Sequence, residues 1–308
     1  MAAIFSWSVN ALPLETGGAN DITTVAGRAS SDYVRVKLTD GRFKEESYAF
    51  GEGGTWSGEK WDASMDKMTF LDVAHVIASP LATKSYVPAT DPKTTKLLIM
   101  VYWGTTHAPE HATDSNGYIN LQVAQDNLLQ IESASHAGKP VYNAGQTQRS
   151  AIGPAEAQVK AAEEQFMTAM SAVAAENAIR DKEDVLNVKM LGYDSWWEQT
   201  NGDRSGTALE HERMDLLTEI EEDRYFVVLM AYDFQLLWKE KKHKLLWETR
   251  FSIRQRHHDF DKDLPAMAQY ASKYFGQDTN GLIHDSVPFG HVEIGQATSL
   301  GEVGAPRK

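Results

Sequence analysis

Not one of the 308 residues is cysteine, which removes disulfides, thiolate metal ligands, cysteine nucleophiles and a lipid-bearing cysteine from this sequence. No apolar run approaches the length that crosses a bilayer, so no membrane span is expected. Basic side chains are scarce as well: 30 Lys and Arg stand against 43 Asp and Glu, a formal net charge of −13. Nucleic-acid binding requires cations that displace counterions from phosphates, so this balance argues against nucleic acid as a partner. What is present fits a folded chain. With 42% hydrophobic and 24% charged residues, it is long enough for one elaborated domain or two.

The charge is unevenly placed. Residues 154–223 hold 17 acidic and 6 basic side chains, a balance of −11, whereas residues 239–256 hold 7 basic and 2 acidic, a balance of +5. Either the two regions lie against each other or each is a solvated face. The opening MAAIFSWSVNALPLE has a short apolar run, with Val9-Asn10-Ala11 placing small residues as signal peptidase prefers. Residues 1–11 are read as a possible export-signal remnant, with an ordinary N-terminal segment as the alternative.

Periodicity predicts an α/β (α+β) fold in which helices pack on a small mixed sheet that carries a long helical insertion. DYVRVKL, residues 32–38, alternates like a half-buried strand with Val34, Val36 and Leu38 on one side. SYAF reads as a second strand, and the glycine-rich GEGGTWSGEKWDASMD after it as a loop. Phe70, Val73, Ala74, Ile77 and Leu81 mark a helix over 69–86, which Pro80 should kink or split. LLIMVYW at 97–103 is apolar on both parities and reads as a central strand.

A hairpin is predicted from residues 225–238 and 243–255 around a charged turn, its second arm having a polar face with Glu248, Arg250, Ser252 and Arg254. Asp263 is expected to cap a helix with Leu264, Met267, Ala268, Ala271, Tyr274 and Phe275 on its buried stripe. Helical patterns at 118–135, 154–184 and 207–222 lie between strand and hairpin. The predicted organisation is thus an N-terminal segment 1–31, a sheet domain 32–103 with 225–276, an inserted helical subdomain 104–224 and an irregular tail 277–308.

Taken together, YAF, the helix from Thr69, LLIMVYWG, KKHKLLWETRFSI and LPAMAQYASKYFG resemble, in this order, a family of bacterial envelope lipoproteins of unknown function. The resemblance spans about half the chain and is closest at Lys244-Leu245-Leu246-Trp247 and Leu97–Gly104. It implies an exported bacterial protein, periplasmic or extracellular, and it carries over no catalytic residue.

Several short motifs bear on chemistry. His107 and His111 have the i, i+4 spacing of zinc ligands on a helix, but Pro109 between them favours a polar loop. HERMD at 211–215 begins like His-Glu-x-x-His, yet Asp215 stands where the second histidine belongs. His257-His258-Asp259 reads as a turn, GEGGTWSG lacks the third glycine of a phosphate loop, and DSNGYIN reads as a helix entry capped by Ser115 or Asn116. Trp196 and Trp197, two indoles in a polar stretch, suit either core packing or contact with a sugar ring or protein partner. A second candidate surface is the hairpin face with Arg250, Arg254 and Asp233, whose alternative is pairing with the acidic insertion.

The preferred functional reading is a non-enzymatic binding or assembly module of the cell envelope, with an envelope protein or glycan as partner and no cofactor or catalytic set. Its rivals are a metal-dependent hydrolase using His107, His111 and His211 with Glu212 as base, and a glycan-binding protein acting through Trp196 and Trp197.

Overall fold

The computed structural model describes residues 22–57, 62–137, 149–200 and 207–286. In chain order the elements are β1 (Ile22–Ala29), β2 (Glu46–Ser57), α1 (Ala63–Asp66), α2 (Phe70–Thr83), β3 (Tyr86–Pro88), β4 (Leu97–Thr105), α3 (Asn116–Ala137), α4 (Arg149–Leu191), α5 (Asp194–Thr200), α6 (Thr207–Ile220), β5 (Arg224–Asp233), α7 (Phe234–Glu240), β6 (Leu245–Arg254), α8 (Phe260–Ala271) and β7 (Leu282–Ser286). Two compact units result, one from the described residues up to Ala108 and from Leu186 onward, the other from Pro109–Val185. The predicted α/β class is what the structure has.

The first unit is built on a seven-stranded mixed sheet in the order β3-β2-β4-β5-β6-β1-β7. Strand β2 runs parallel to β3 and β4, and every other neighbouring pair is antiparallel. Side chains two apart share a face, and β5 shows the consequence. Tyr225, Val227, Leu229 and Ala231 enter one core with the stripes of α2 and α8, while Phe226 and Val228 enter another with Val188, Leu191, Tyr193, Leu216 and Ile220. Both faces of the middle strands are therefore covered, each large side chain contributing roughly 1.5–3 kcal/mol by leaving water.

The second unit pairs α3 with the first part of α4. Gly117 N donates to Glu176 Oε1 at 3.1 Å and Asn127 Nδ2 to Gln165 Oε1 at 3.3 Å, so the helices run antiparallel. Ser115 Oγ accepts from Tyr118 N at 3.2 Å, making DSNGYIN a capped helix entry. Ala162 is buried, the small contact expected of an alanine-rich helix pair.

Several expectations are corrected. The segment 1–31 supplies β1, which pairs with β6 on one side and β7 on the other, and residues 282–286 form β7 rather than irregular tail. Residues 1–11 and 287–308 lie outside the described residues. The helical unit set apart is narrower than 104–224, because the end of α4, α5 and α6 belong to the sheet unit.

DYVRVKL is not a sheet strand, and its sides are inverted: Val34, Val36 and Leu38 are exposed while Arg35 is buried. The Arg35 guanidinium lies 4.2 Å from the Phe43 ring centre and 4.0 Å from that of Tyr86, and donates to Lys84 O at 2.6 Å. Two ring faces and a carbonyl hold the cation inside, so alternation alone misread the direction.

The glycine-rich stretch, expected as a loop, is strand up to Ser57 and helix over Ala63–Asp66, with residues 58–61 outside the described residues. A Cβ on Gly51 would stand 2.4 Å from Met100 Sδ, and one on Gly53 would stand 2.5 Å from the Tyr102 ring. Glycine here admits large neighbours from β4. Pro80 leaves α2 unbroken through Thr83, and α2 opens on a reciprocal capping box between Thr69 and Asp72.

The predicted first hairpin arm stops at Asp233, whose side chain accepts from Leu236 N at 2.9 Å and starts α7 where strand was expected. Helix α8 begins at Phe260, earlier than an Asp263 cap would place it, and Asp263 instead accepts from Asp259 N at 2.9 Å.

Candidate functional site

Trp196 and Trp197 lie on α5 and both are half-buried against the core of Val188, Leu191, Tyr193 and their neighbours. Only Trp196 also lines an open cavity of about 490 Å³, together with Arg28, Ser195, Asp278, Asn280 and Gly281. The sheet unit builds this cavity from three chain segments.

The first wall is β1, where Arg28 Nη2 pairs with Asp194 Oδ2 at 3.3 Å. The second is the turn after α8, pinned to β1 by two bonds: Gly27 N donates to Thr279 Oγ1 at 2.9 Å and Thr279 N to Gly27 O at 3.0 Å. A Cβ on Gly27 would stand 2.8 Å from Gln277 O, so the turn can approach only a glycine. Asp278 Oδ1 accepts from Asn280 N at 2.7 Å, an Asx turn that holds Asn280 in the left-handed region at φ 52°.

The third wall is α5. Its entry follows Gly192, at φ +81°, whose N–H bonds Val188 O at 2.9 Å and ends α4. Gly281, at φ +140°, approaches the indole so closely that a Cβ there would stand 3.0 Å from Trp196 Nε1.

The other predicted surface does not converge. Asp233 and Arg254 lie at opposite ends of the β5–β6 ladder, since Arg224 pairs with Arg254 and Tyr232 with Leu245. Asp233 caps α7. Arg250 donates to Lys189 O at 2.6 Å and Met190 O at 3.1 Å, satisfying carbonyls at the end of α4, and Arg254 holds Glu222 through both carboxylate oxygens at 3.0 and 2.9 Å. The polar face of β6 is covered as far as Ser252, with Glu248 and Ser252 buried, and only its end at Arg254 is exposed. Arg254 thereby meets the acidic stretch at Glu222, one part of the charge complementarity visible in the sequence.

The histidines are distributed. His107 lies just past β4 with Nδ1 4.0 Å from Asp223 Oδ1, and Asn187 Nδ2 donates to the His107 carbonyl at 2.7 Å. His111 sits in irregular chain before α3, and His211 is exposed on α6. Among the described residues no group of three His, Asp or Glu side chains could hold a metal ion. His258 Nδ1 lies 3.1 Å from Asp263 Oδ2 in the turn that opens α8.

Not legible in the sequence is a polar network farther along the same face of β1. Arg224, its side chain only 4% exposed, reaches Thr24 Oγ1 at 3.0 Å, Ser252 Oγ at 3.2 Å, and the carboxylates of Glu219 and Glu222 at 3.8 and 3.6 Å. Glu219 accepts from Tyr193 OH at 2.7 Å and Thr24 Oγ1 at 3.1 Å, and lies 2.6 Å from His284 Nε2. Burial pushes this carboxyl up, but the His284 bond, the Arg224 charge and the Tyr193 hydroxyl outweigh it and hold it at about 2. On the opposite face, Asp62 accepts from Ser64, Tyr225 and Gln255, which overcome its burial and keep it well below the usual carboxylate range.

An indole beside a guanidinium–carboxylate pair, a hydroxyl and an amide gives the cavity one apolar wall and several directed polar groups, the mixture small polar ligands require. No family model and no curated protein matches this chain.

Proposed function

We propose that the chain is a non-enzymatic binding module of the bacterial cell envelope, and that its ligand is a saccharide held in the cavity beside Trp196. The observation that carries this is the cavity itself: about 490 Å³, with an indole, Arg28 and Asn280 brought together from three separate segments. Sugars offer apolar ring faces for an indole and hydroxyls for charged and amide groups, so one pocket wall of each kind matches one ligand class. The likeness of Lys244–Trp247 and Leu97–Gly104 to envelope lipoproteins supports the compartment.

Isothermal titration with soluble cell-wall saccharide fragments tests the reading. Binding by the wild type, weakened about tenfold or more in Trp196→Ala and in Arg28→Ala, is expected from the loss of one such hot-spot contact. A wild type that produces no heat with any fragment, or a Trp196→Ala chain that binds equally well, overturns it.

A further inference from the structure

We propose that the end of the sheet carrying α7 docks on an anionic phospholipid surface. None of the seven residues of α7, FQLLWKE, is buried, although four are large and apolar. Phe234, Leu236 and Leu237 are partly buried and Trp238 is 43% exposed. The helix is firmly placed. Asp233 caps it, Phe234 N donates to Lys96 O at 2.9 Å, and Gln235 Nε2 donates to Pro92 O at 2.9 Å and Thr95 O at 2.7 Å. The Phe234 and Trp238 rings stand 6.1 Å apart, and Lys239, Lys241, Lys242 and Lys244 follow at once.

A second segment at the same end repeats this chemistry. Strand β1 finishes at Ala29 opposite Trp247, Ser30 N donates to Leu246 O at 2.8 Å, and Lys244 is ion-paired with Asp32. From there the chain presents Val34, Val36 and Leu38 outward, 78%, 58% and 44% exposed, interleaved with Lys37 and followed by Arg42 and Lys44. Because Arg35 turns inward between Phe43 and Tyr86, the aliphatic side of this segment is held outward.

Charge selects the occupant. The connections at this end, residues 30–45, 89–96 and 234–244, carry nine basic side chains besides the buried Arg35 and five acidic ones, in a chain whose net charge is −13. Apolar side chains and lysines alternate in Val36-Lys37-Leu38, and in the other segment the apolar Phe234–Trp238 stretch runs directly into lysines from Lys239. A headgroup region accommodates that mixture: tryptophan settles at its depth, aliphatic groups sink beneath it, and lysine stems follow while their ammonium groups stay with the phosphates. The inference stands on surface residues that the saccharide cavity does not use.

The test is co-sedimentation of the full chain with vesicles of phosphatidylcholine and phosphatidylglycerol, against phosphatidylcholine alone. The wild type should pellet with the anionic vesicles only, and less at raised salt. Lys239→Glu/Lys241→Glu/Lys242→Glu should weaken binding about tenfold or more, as should Trp238→Ser with Val36→Ser, circular dichroism confirming that each variant folds. A wild type left in the supernatant with both vesicles overturns the proposal. So does binding that these variants leave intact. Capture of the chain by polyglutamate beads without any vesicle binding would assign the patch to an acidic protein instead.

Discussion

Replacing Glu219 by Gln keeps the shape of the side chain and removes its charge from beside Arg224. The Glu219 side chain is 22% exposed and that of Arg224 is 4% exposed, so water screens the pair poorly and the guanidinium keeps only Glu222, at 3.6 Å. In the wild type the carboxyl sits at about 2 against an ordinary 4.5, a difference worth about 3 kcal/mol of folding stability. Because the folded value is the lower one, this stability is fully present above about 4.5 and is lost as pH falls toward about 2. Glu219→Gln should therefore cost roughly 2–3 kcal/mol at neutral pH and nothing at the acid limit, flattening the acid limb of the stability profile.

Urea unfolding followed by tryptophan fluorescence from neutral pH down to the acid limit measures this, since the six tryptophans among the described residues all belong to the sheet unit. Equal midpoints for the two proteins at neutral pH, with parallel acid limbs, would refute the electrostatic argument.

Three further outcomes follow from close contacts. Gly104→Ala would place a Cβ 1.7 Å from the Trp56 carbonyl oxygen, so β2 and β4 could not pair; a loss above about 4 kcal/mol is expected, visible as insoluble expression or the absence of a cooperative transition. Gly192→Ala combines a left-handed backbone at φ +81° with a Cβ 2.6 Å from Arg250 Cδ, and should lower stability by about 1–2 kcal/mol from the backbone alone, read as a reduced urea midpoint. Arg35→Ala removes the cation from between Phe43 and Tyr86 and should cost about 2 kcal/mol, while Arg35→Met, which keeps the stem, should cost less in the same assay.

Legibility followed the physics of each segment. Helix α2, strand β4 and the buried stripe of α8 announce themselves because hydrophobic burial imposes a period that survives in the residues. Strand β1, ITTVAGRA, has no such signature: it lies between β6 and β7, and Thr24 on it belongs to the Arg224 network rather than to an apolar core. Glycine in β2 reads as loop chemistry until the Met100 and Tyr102 side chains that require it are known.

The candidate site was half legible. Trp196 stands out as an indole in a polar stretch, but its cavity partners Arg28 and Asn280 are brought to it by strand pairing and an Asx turn far away in sequence. Arg250 and Arg254 stood out by charge, yet their partners, the α4 carbonyls and Glu222, are themselves long-range contacts.

The central claim is that a saccharide enters the cavity beside Trp196. Heteronuclear amide spectra of the isotope-labelled chain, recorded while soluble cell-wall fragments are added, test it most directly. Shifts confined to the Trp196 indole N–H and the amides of Arg28, Asn280 and Gly281 are the predicted result. Spectra unchanged at saturating fragment, or shifts gathered elsewhere on the sheet unit, would contradict it.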